Sequence, residues 1–174
     1  MTPTAKRAEH IAFPVDCYYT LAALAVHADN TTIKIPADAS GKRIGVQKAA
    51  TYEAYLRRQP FGIQGMRPVD YKIDNPVIVT LDNASLPFDQ LAEGDGVKLD
   101  AVISYLPAIM DQIKKGKPLK VVGQPLFYVP QAVAIEPGDP ELAEQLTKIV
   151  TDMHNDGTLS ALSVKWLGVD LSTY

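Results

Sequence analysis

The clearest periodic signal lies near the C-terminal end of the sequence. From Leu142, apolar residues recur at Leu146, Ile149, Val150 and Met153, offsets of 4, 7, 8 and 11 that trace one continuous stripe on a helix. Asp139 is the expected N-cap, Pro140 the first helical position, and Glu141 and Glu144 place negative charge in the opening turns. Asn155-Asp156-Gly157 predicts the end of this helix, and Thr158 is read as the cap of a second one bearing Leu159, Leu162 and Trp166. A stripe of that strength has to dock on something, because packing rather than propensity stabilises most helices.

Residues 41–123 follow a different rhythm, in which short β-rich runs alternate with helical patterns, as in an α/β sheet. Arg43–Gln47 predicts a buried strand, and Thr51 to Arg58 a helix carrying Tyr52, Tyr55 and Leu56. Val77–Leu81 is a β-branched strand run followed by a short helix around Phe88–Ala92. Leu99–Ser104 predicts the next strand; Pro107 then opens a helix with Ile109, Met110 and Ile113 on its apolar side, and Lys120–Gly123 closes the series. The first 36 residues are less regular. Thr2–Glu9 is polar, Ile11–Phe13 is a short apolar run, and Thr20–His27 fits a buried strand or a buried helix equally well. Asp29–Ser40 is polar, contains Pro36, and suits a crossing between lobes.

Composition narrows the function classes. The 174 residues are 47% hydrophobic and 21% charged, an ordinary globular balance for about one domain length. The net charge of −3 provides no basic field for nucleic acid. No apolar run approaches the roughly 20 residues of a membrane span. Cys17 is the only cysteine, which excludes an internal disulfide and a cysteine-rich zinc site. It has no base partner in sequence and is expected to pack as a small apolar group. His10, His27 and His154 lack metal-ligand spacing. No phosphate-binding loop, dinucleotide fingerprint or nucleophile elbow occurs, so neither a metal nor a cofactor is expected.

Several segments, taken in order, carry a family resemblance. Thr2, Thr4 and Arg7, followed by Phe13, are similar to a "T-x-T-x-x-R-x-x-x-x-x-F" stretch. Gly41-Lys42-Arg43-Ile44-Gly45-Val46-Gln47 with Ala50-Thr51 is similar to "G-K-x-x-G-V-x-x-G-T-T". Asp100-Ala101-Val102 running to Pro107 is similar to "x-D-A-V-x-x-D-x-P", and Gly116–Pro125 and Asp156-Gly157-Thr158-Leu159 through Lys165-Trp166-Leu167-Gly168 complete the set. Together they resemble the family 3 periplasmic solute-binding proteins, the amino-acid-binding components of ABC importers. The stretch Phe61–Leu86 is longer than that family's usual connection.

The resemblance implies an α/β fold of the type II periplasmic-binding-protein kind, two lobes joined by two hinge strands with the solute in the cleft between them. On this reading residues 1–36 are part of lobe 1 and a hinge strand, 37–125 a complete lobe 2, and 126–174 the return hinge strand and C-terminal helices of lobe 1. The early strands of lobe 1 have no counterpart. A signal peptide is expected to be missing with them, which makes the implied location periplasmic. Lost strands should leave the Leu142–Met153 stripe exposed and drive homodimerisation.

The resemblance also assigns ligand-binding roles. Arg7 corresponds to the arginine that grips a carboxylate, a task suited to a planar, permanently charged fork, and Thr2 adds a hydroxyl. Thr51 corresponds to a second-lobe donor and opens a helix directly after a strand, where an anion is favoured. Gln47 is a further lining candidate. Tyr105 stands where an aspartate usually pairs with the ligand ammonium. A neutral phenol, pKa about 10, supplies no counter-charge, so an ordinary zwitterionic amino acid is disfavoured. Stacking on the ligand, donation to a second oxygen and simple filling of the cleft all remain open for Tyr105. The implied function is capture of a small carboxylate-bearing solute for an ABC permease in the membrane, without catalysis. A cyclohexadienyl-dehydratase-like enzyme, which would need a positioned carboxylic acid, and a sensor module are the alternatives.

Overall fold

A computed structural model describes residues 1–63 and 65–173. The elements in chain order are α1 (Ala5–Ala8), β1 (Asp16–His27), a 3-10 turn (Pro36–Ala39), β2 (Arg43–Gln47), α2 (Thr51–Leu56), β3 (Val77–Leu81), α3 (Leu86–Ala92), β4 (Ala101–Tyr105), α4 (Leu106–Lys114), β5 (Leu119–Ala132), α5 (Pro140–Asn155) and α6 (Thr158–Leu167). They form two compact units. One comprises Met1–Thr20, Gly62–Pro68 and Tyr128–Tyr174; the other comprises Leu21–Phe61 and Val69–Phe127. Strands β1 and β5 each pass from one unit into the other.

The second unit is built on the sheet ordered β3-β2-β4-β1-β5. Strand β2 pairs in parallel with β3 and with β4, and β1 pairs antiparallel with β4. Helices α3 and α4 share one face, where Phe88, Leu91 and Ile109 pack with Leu99, Val102, Ala23 and Ala25. That packing requires glycine at Gly45, because a Cβ there would stand 2.5 Å from Leu99 Cδ1. On the other face Tyr55 of α2 stacks between Phe127 and Tyr71 at centroid distances of 5.1 and 5.4 Å. Its hydroxyl accepts the Lys72 N–H at 2.9 Å and donates to the Asp70 carbonyl at 3.4 Å. The aromatic side chain thereby pins the Val69–Ile73 segment without regular structure.

Arg43 and Asp100 fasten the start of β2 to the turn before β4. The Asp100 carboxylate accepts from the Arg43 backbone N–H at 2.8 Å and from Nε and Nη2 at 3.2 and 3.0 Å. The arginine side chain is the main reason that carboxyl is held below its ordinary range.

In the first unit, the Asp139 carboxylate accepts the Leu142 N–H at 2.9 Å, the N-cap expected from sequence. The start of α6 differs from expectation. Gly157, in the left-handed region at φ 79°, is the N-cap, and Thr158 is the first helical residue. The Asp156 carboxylate takes the Thr158 N–H at 2.8 Å, so the acidic residue performs the job expected of the threonine. Ser163 ties α6 to the following segment by donating to the Val169 carbonyl and accepting the Leu171 N–H, both at 2.8 Å. Among the described residues, no helix is long and apolar enough to cross a membrane.

Candidate functional site

Strand connectivity marks a position in the second unit before any side chain is considered. From β2 the chain passes through α2 to β3 on one flank, then through α3 to β4 on the other flank of β2. Strands β2 and β4 are therefore parallel neighbours at which the strand order reverses. Beyond the carboxyl ends of two such strands the connections diverge and leave a crevice, the usual ligand position in an open α/β sheet.

The β2–β4 register pairs Ile44 with Ala101 and Gly45 with Val102. Carried two residues on, it sets Gln47 beside Ser104. Thr51 and Tyr105 follow at the same end, so the structure brings Gln47, Thr51 and Tyr105 to neighbouring strand ends, each half-buried. Tyr52 locks the arrangement. Its hydroxyl is hydrogen-bonded to the Ser104 side chain and to the Tyr105 backbone, which ties the first turn of α2 to the last residues of β4. Burial pushes the Tyr52 phenol pKa up, and those two bonds oppose the rise.

Thr51 is the first residue of α2, whereas Ala50 occupies the N-cap and makes no side-chain capping bond. The Thr51 hydroxyl is thus not needed as the cap. The turn before it is held by Glu53, whose carboxylate accepts the Ala49 N–H and an Arg57 Nε–H, both at 2.8 Å. Ala49 itself sits at φ 60°, a left-handed conformation that glycine adopts more readily.

The first unit holds the remaining candidates. Thr4 caps α1 by accepting the Arg7 N–H at 3.3 Å, and the Ala5 N–H bonds the Gly62 carbonyl at 2.7 Å. The Arg7 guanidinium is exposed and donates from Nη1 to the Thr2 carbonyl at 2.9 Å, so Thr2 and Arg7 are direct neighbours. The Thr2 hydroxyl accepts from Gln131 Nε2 at 3.0 Å, which leaves its own proton available to another acceptor.

Tyr52, Ser104 and Gln131 were missed in sequence. Tyr52 and Ser104 each adjoin a named candidate, which is the signal that could have found them. Gln131 has none, lying 129 residues from the threonine it contacts.

Two of the histidines have backbone partners: His27 Nδ1 accepts the Asp29 N–H at 3.3 Å, and His154 Nε2 lies 3.3 Å from the distant Asp16 carbonyl. Cys17 is half-buried beside Leu159, Leu162 and Trp166, and burial is the main cause that raises its thiol pKa. That environment suits a packed rather than a reactive thiol.

Comparison with known proteins agrees with this architecture. The family model of bacterial extracellular solute-binding proteins, family 3, matches residues 1–169. The L-cystine-binding protein TcyJ of Escherichia coli K12 is 30% identical over 151 residues, which are 86% of this chain and 51% of that protein. The putative amino-acid ABC transporter-binding protein PatH of Vibrio harveyi is 28% identical over 155 residues, 87% of this chain and 56% of its own length. The chain therefore spans about half the length of these relatives. The crystal structure of ytmK from Bacillus subtilis, a probable amino-acid ABC transporter extracellular-binding protein, superposes with a TM-score of 0.77 at 24% identity, covering 97% of this chain and 68% of that one. That likeness shows the fold, the type II periplasmic-binding-protein architecture. The chain belongs to the family 3 bacterial extracellular solute-binding proteins.

Proposed function

We propose that the chain captures a small carboxylate-bearing solute outside the cytoplasmic membrane and delivers it to an ABC permease. The observation that carries this reading is the strand-order reversal at β2 and β4, at whose carboxyl ends Gln47, Thr51 and Tyr105 stand. Arg7 and Thr2 of the first unit supply the donor chemistry for a carboxylate, and the relatives named for amino-acid binding support solute capture over catalysis. The test is thermal unfolding of the full chain with a panel of small carboxylates, read together with a search for chemical turnover. A ligand at 100 times its Kd adds about 2.7 kcal/mol of stability, so a clear rise in Tm without product is expected. No shift with any carboxylate removes the proposal.

We further propose that a second copy of the chain packs on the first unit. Leu142 and Ile149, seven residues apart on one side of α5, are 40% and 54% exposed, and Trp166 of α6 is 72% exposed. Beside them Tyr18, Leu159, Leu162 and Trp166 line an apolar cavity of about 310 Å³. Two such helices can pair antiparallel, matching apolar rows while opposing their dipoles. Light scattering should give twice the 18.9 kDa chain mass, and Ile149→Glu should return the monomer. A wild-type monomer at high concentration excludes this face as a dimer interface.

A further inference from the structure

We infer that Gln131 is a positioning residue for carboxylate capture: its side-chain amide fixes the Thr2 hydroxyl as a hydrogen-bond donor toward the solute, and Thr20 fixes the amide. The inference rests on the reading of Thr2 and Arg7 as donors to a carboxylate, and it concerns what aims them.

The relay lies within the first unit and runs through three half-buried side chains. The Thr20 hydroxyl donates to the Val129 carbonyl at 3.2 Å, so its oxygen is left as an acceptor. Gln131 stands beside it, with Nε2 at 3.0 Å from Thr2 Oγ1 and at a longer 3.5 Å from Thr20 Oγ1. A glutamine amide carries an acceptor oxygen on one arm and donor hydrogens on the other, and its hydrogen-bonding neighbours decide which arm faces where. The oxygen arm turned this way would meet a Thr20 oxygen whose proton is already spent on Val129. The nitrogen arm meets a lone pair. Thr20 therefore turns the amide so that its N–H groups face both threonine oxygens.

That orientation decides what Thr2 can do. With an N–H directed at its oxygen, the Thr2 hydroxyl keeps its own proton, and no acceptor takes it among the described residues. With the amide reversed, Gln131 Oε1 would accept that proton and the donor would be lost. The backbone brings the two residues together, because the Ala132 N–H bonds the Met1 carbonyl at 2.9 Å, which pairs a neighbour of Gln131 with a neighbour of Thr2. Thr2 also orients the arginine, since its carbonyl accepts from Arg7 Nη1 at 2.9 Å. Gln131 thus acts on the carboxylate through Thr2, without a contact of its own, and a donor aimed in advance loses less freedom on binding.

A double-mutant cycle read by titration calorimetry on the full chain tests the inference, with succinate, L-glutamate and 2-oxoglutarate as probes and the tightest of them carried through. Thr2→Val keeps the shape and removes the hydroxyl; Gln131→Leu removes the amide. Each alone should weaken binding about tenfold, and the pair together no more than the larger single loss. A merely structural Gln131 would lower affinity by the same factor with or without the Thr2 hydroxyl. Equal losses in the two backgrounds therefore overturn the inference, as does wild-type affinity in either single variant. Thermal unfolding without solute checks that each variant is folded. Thr20→Val is the second arm and decides the matter if Gln131→Leu does not fold. It frees the amide to reverse, so it should weaken binding, and the loss should vanish in the Thr2→Val background. Unchanged affinity, or the same loss in both backgrounds, overturns the role given to the relay and leaves solute capture standing. If neither these probes nor the wider carboxylate panel bind the wild-type chain, solute capture falls and this inference with it.

Discussion

Replacing Tyr55 by alanine should destabilise the second unit by about 4 kcal/mol, the range for emptying a large aromatic site in a packed core. Tyr55 is 1% exposed, stacks on two rings, and has its hydroxyl between the Lys72 N–H and the Asp70 carbonyl. The loss thus combines a cavity with release of the segment that the hydroxyl holds. Tyr55→Phe separates the two. It keeps the stacking and leaves the Lys72 N–H without its acceptor, at a cost of about 1–2 kcal/mol. Urea unfolding at neutral pH reads both values. Alkaline pH gives an independent check. Burial raises the phenol pKa of Tyr55, so the folded state holds its proton at a pH where the unfolded chain has lost it. Stability is then full below the unfolded value of about 10 and falls as pH rises through the folded one. Tyr55→Phe should weaken that alkaline loss, with the residual slope owed in part to Tyr52, whose phenol is shifted in the same direction. A Tyr55→Ala variant within 1 kcal/mol of wild type would show that the ring does not organise this unit.

Elements whose signals are local and periodic were legible in the sequence. Strand β3 matches its β-branched run, and α5 begins at Pro140 behind the Asp139 cap. Helix α1, by contrast, is four residues long, too short to display any apolar period. The Thr20–His27 ambiguity resolves to strand because β1 lies between β4 and β5, so that Leu21 to Val26 are buried on both faces and no alternation appears. Strand β5 runs well past the expected Gly123, through Pro125 and Pro130 to Ala132. It is an edge strand, where proline is tolerated, and Gly123 at φ 69° makes room for Pro36, since a Cβ there would stand 2.5 Å from the ring. The placement of the candidate residues was readable where they follow a strand end, as at Gln47, Thr51 and Tyr105. It was unreadable where tertiary structure supplies the partner, as when Tyr52 reaches across to Ser104 or Gln131 to Thr2.

Arg7→Ala should weaken carboxylate binding by about 100-fold, equivalent to about 2.7 kcal/mol, while leaving the unliganded protein as stable as wild type. The two halves of that expectation come from separate parts of the residue. The backbone around Arg7 is fixed by the Thr4 cap, the Gly62 carbonyl, and the His10 and Ile11 N–H groups bonded to the Arg7 carbonyl, none of which needs the guanidinium. Among the described residues the side chain bonds the Thr2 carbonyl, an exposed contact whose loss to water costs little. That bond nevertheless orients the fork and leaves further N–H donors for an anion, so less conformational freedom is lost on binding. Arg7→Lys discriminates between charge and geometry: it keeps the cation but cannot form two parallel bonds, and an intermediate loss of about tenfold is expected. Titration of both variants with the tightest carboxylate from the panel provides the measurement. If Arg7→Ala binds as tightly as wild type, Arg7 does not hold the carboxylate.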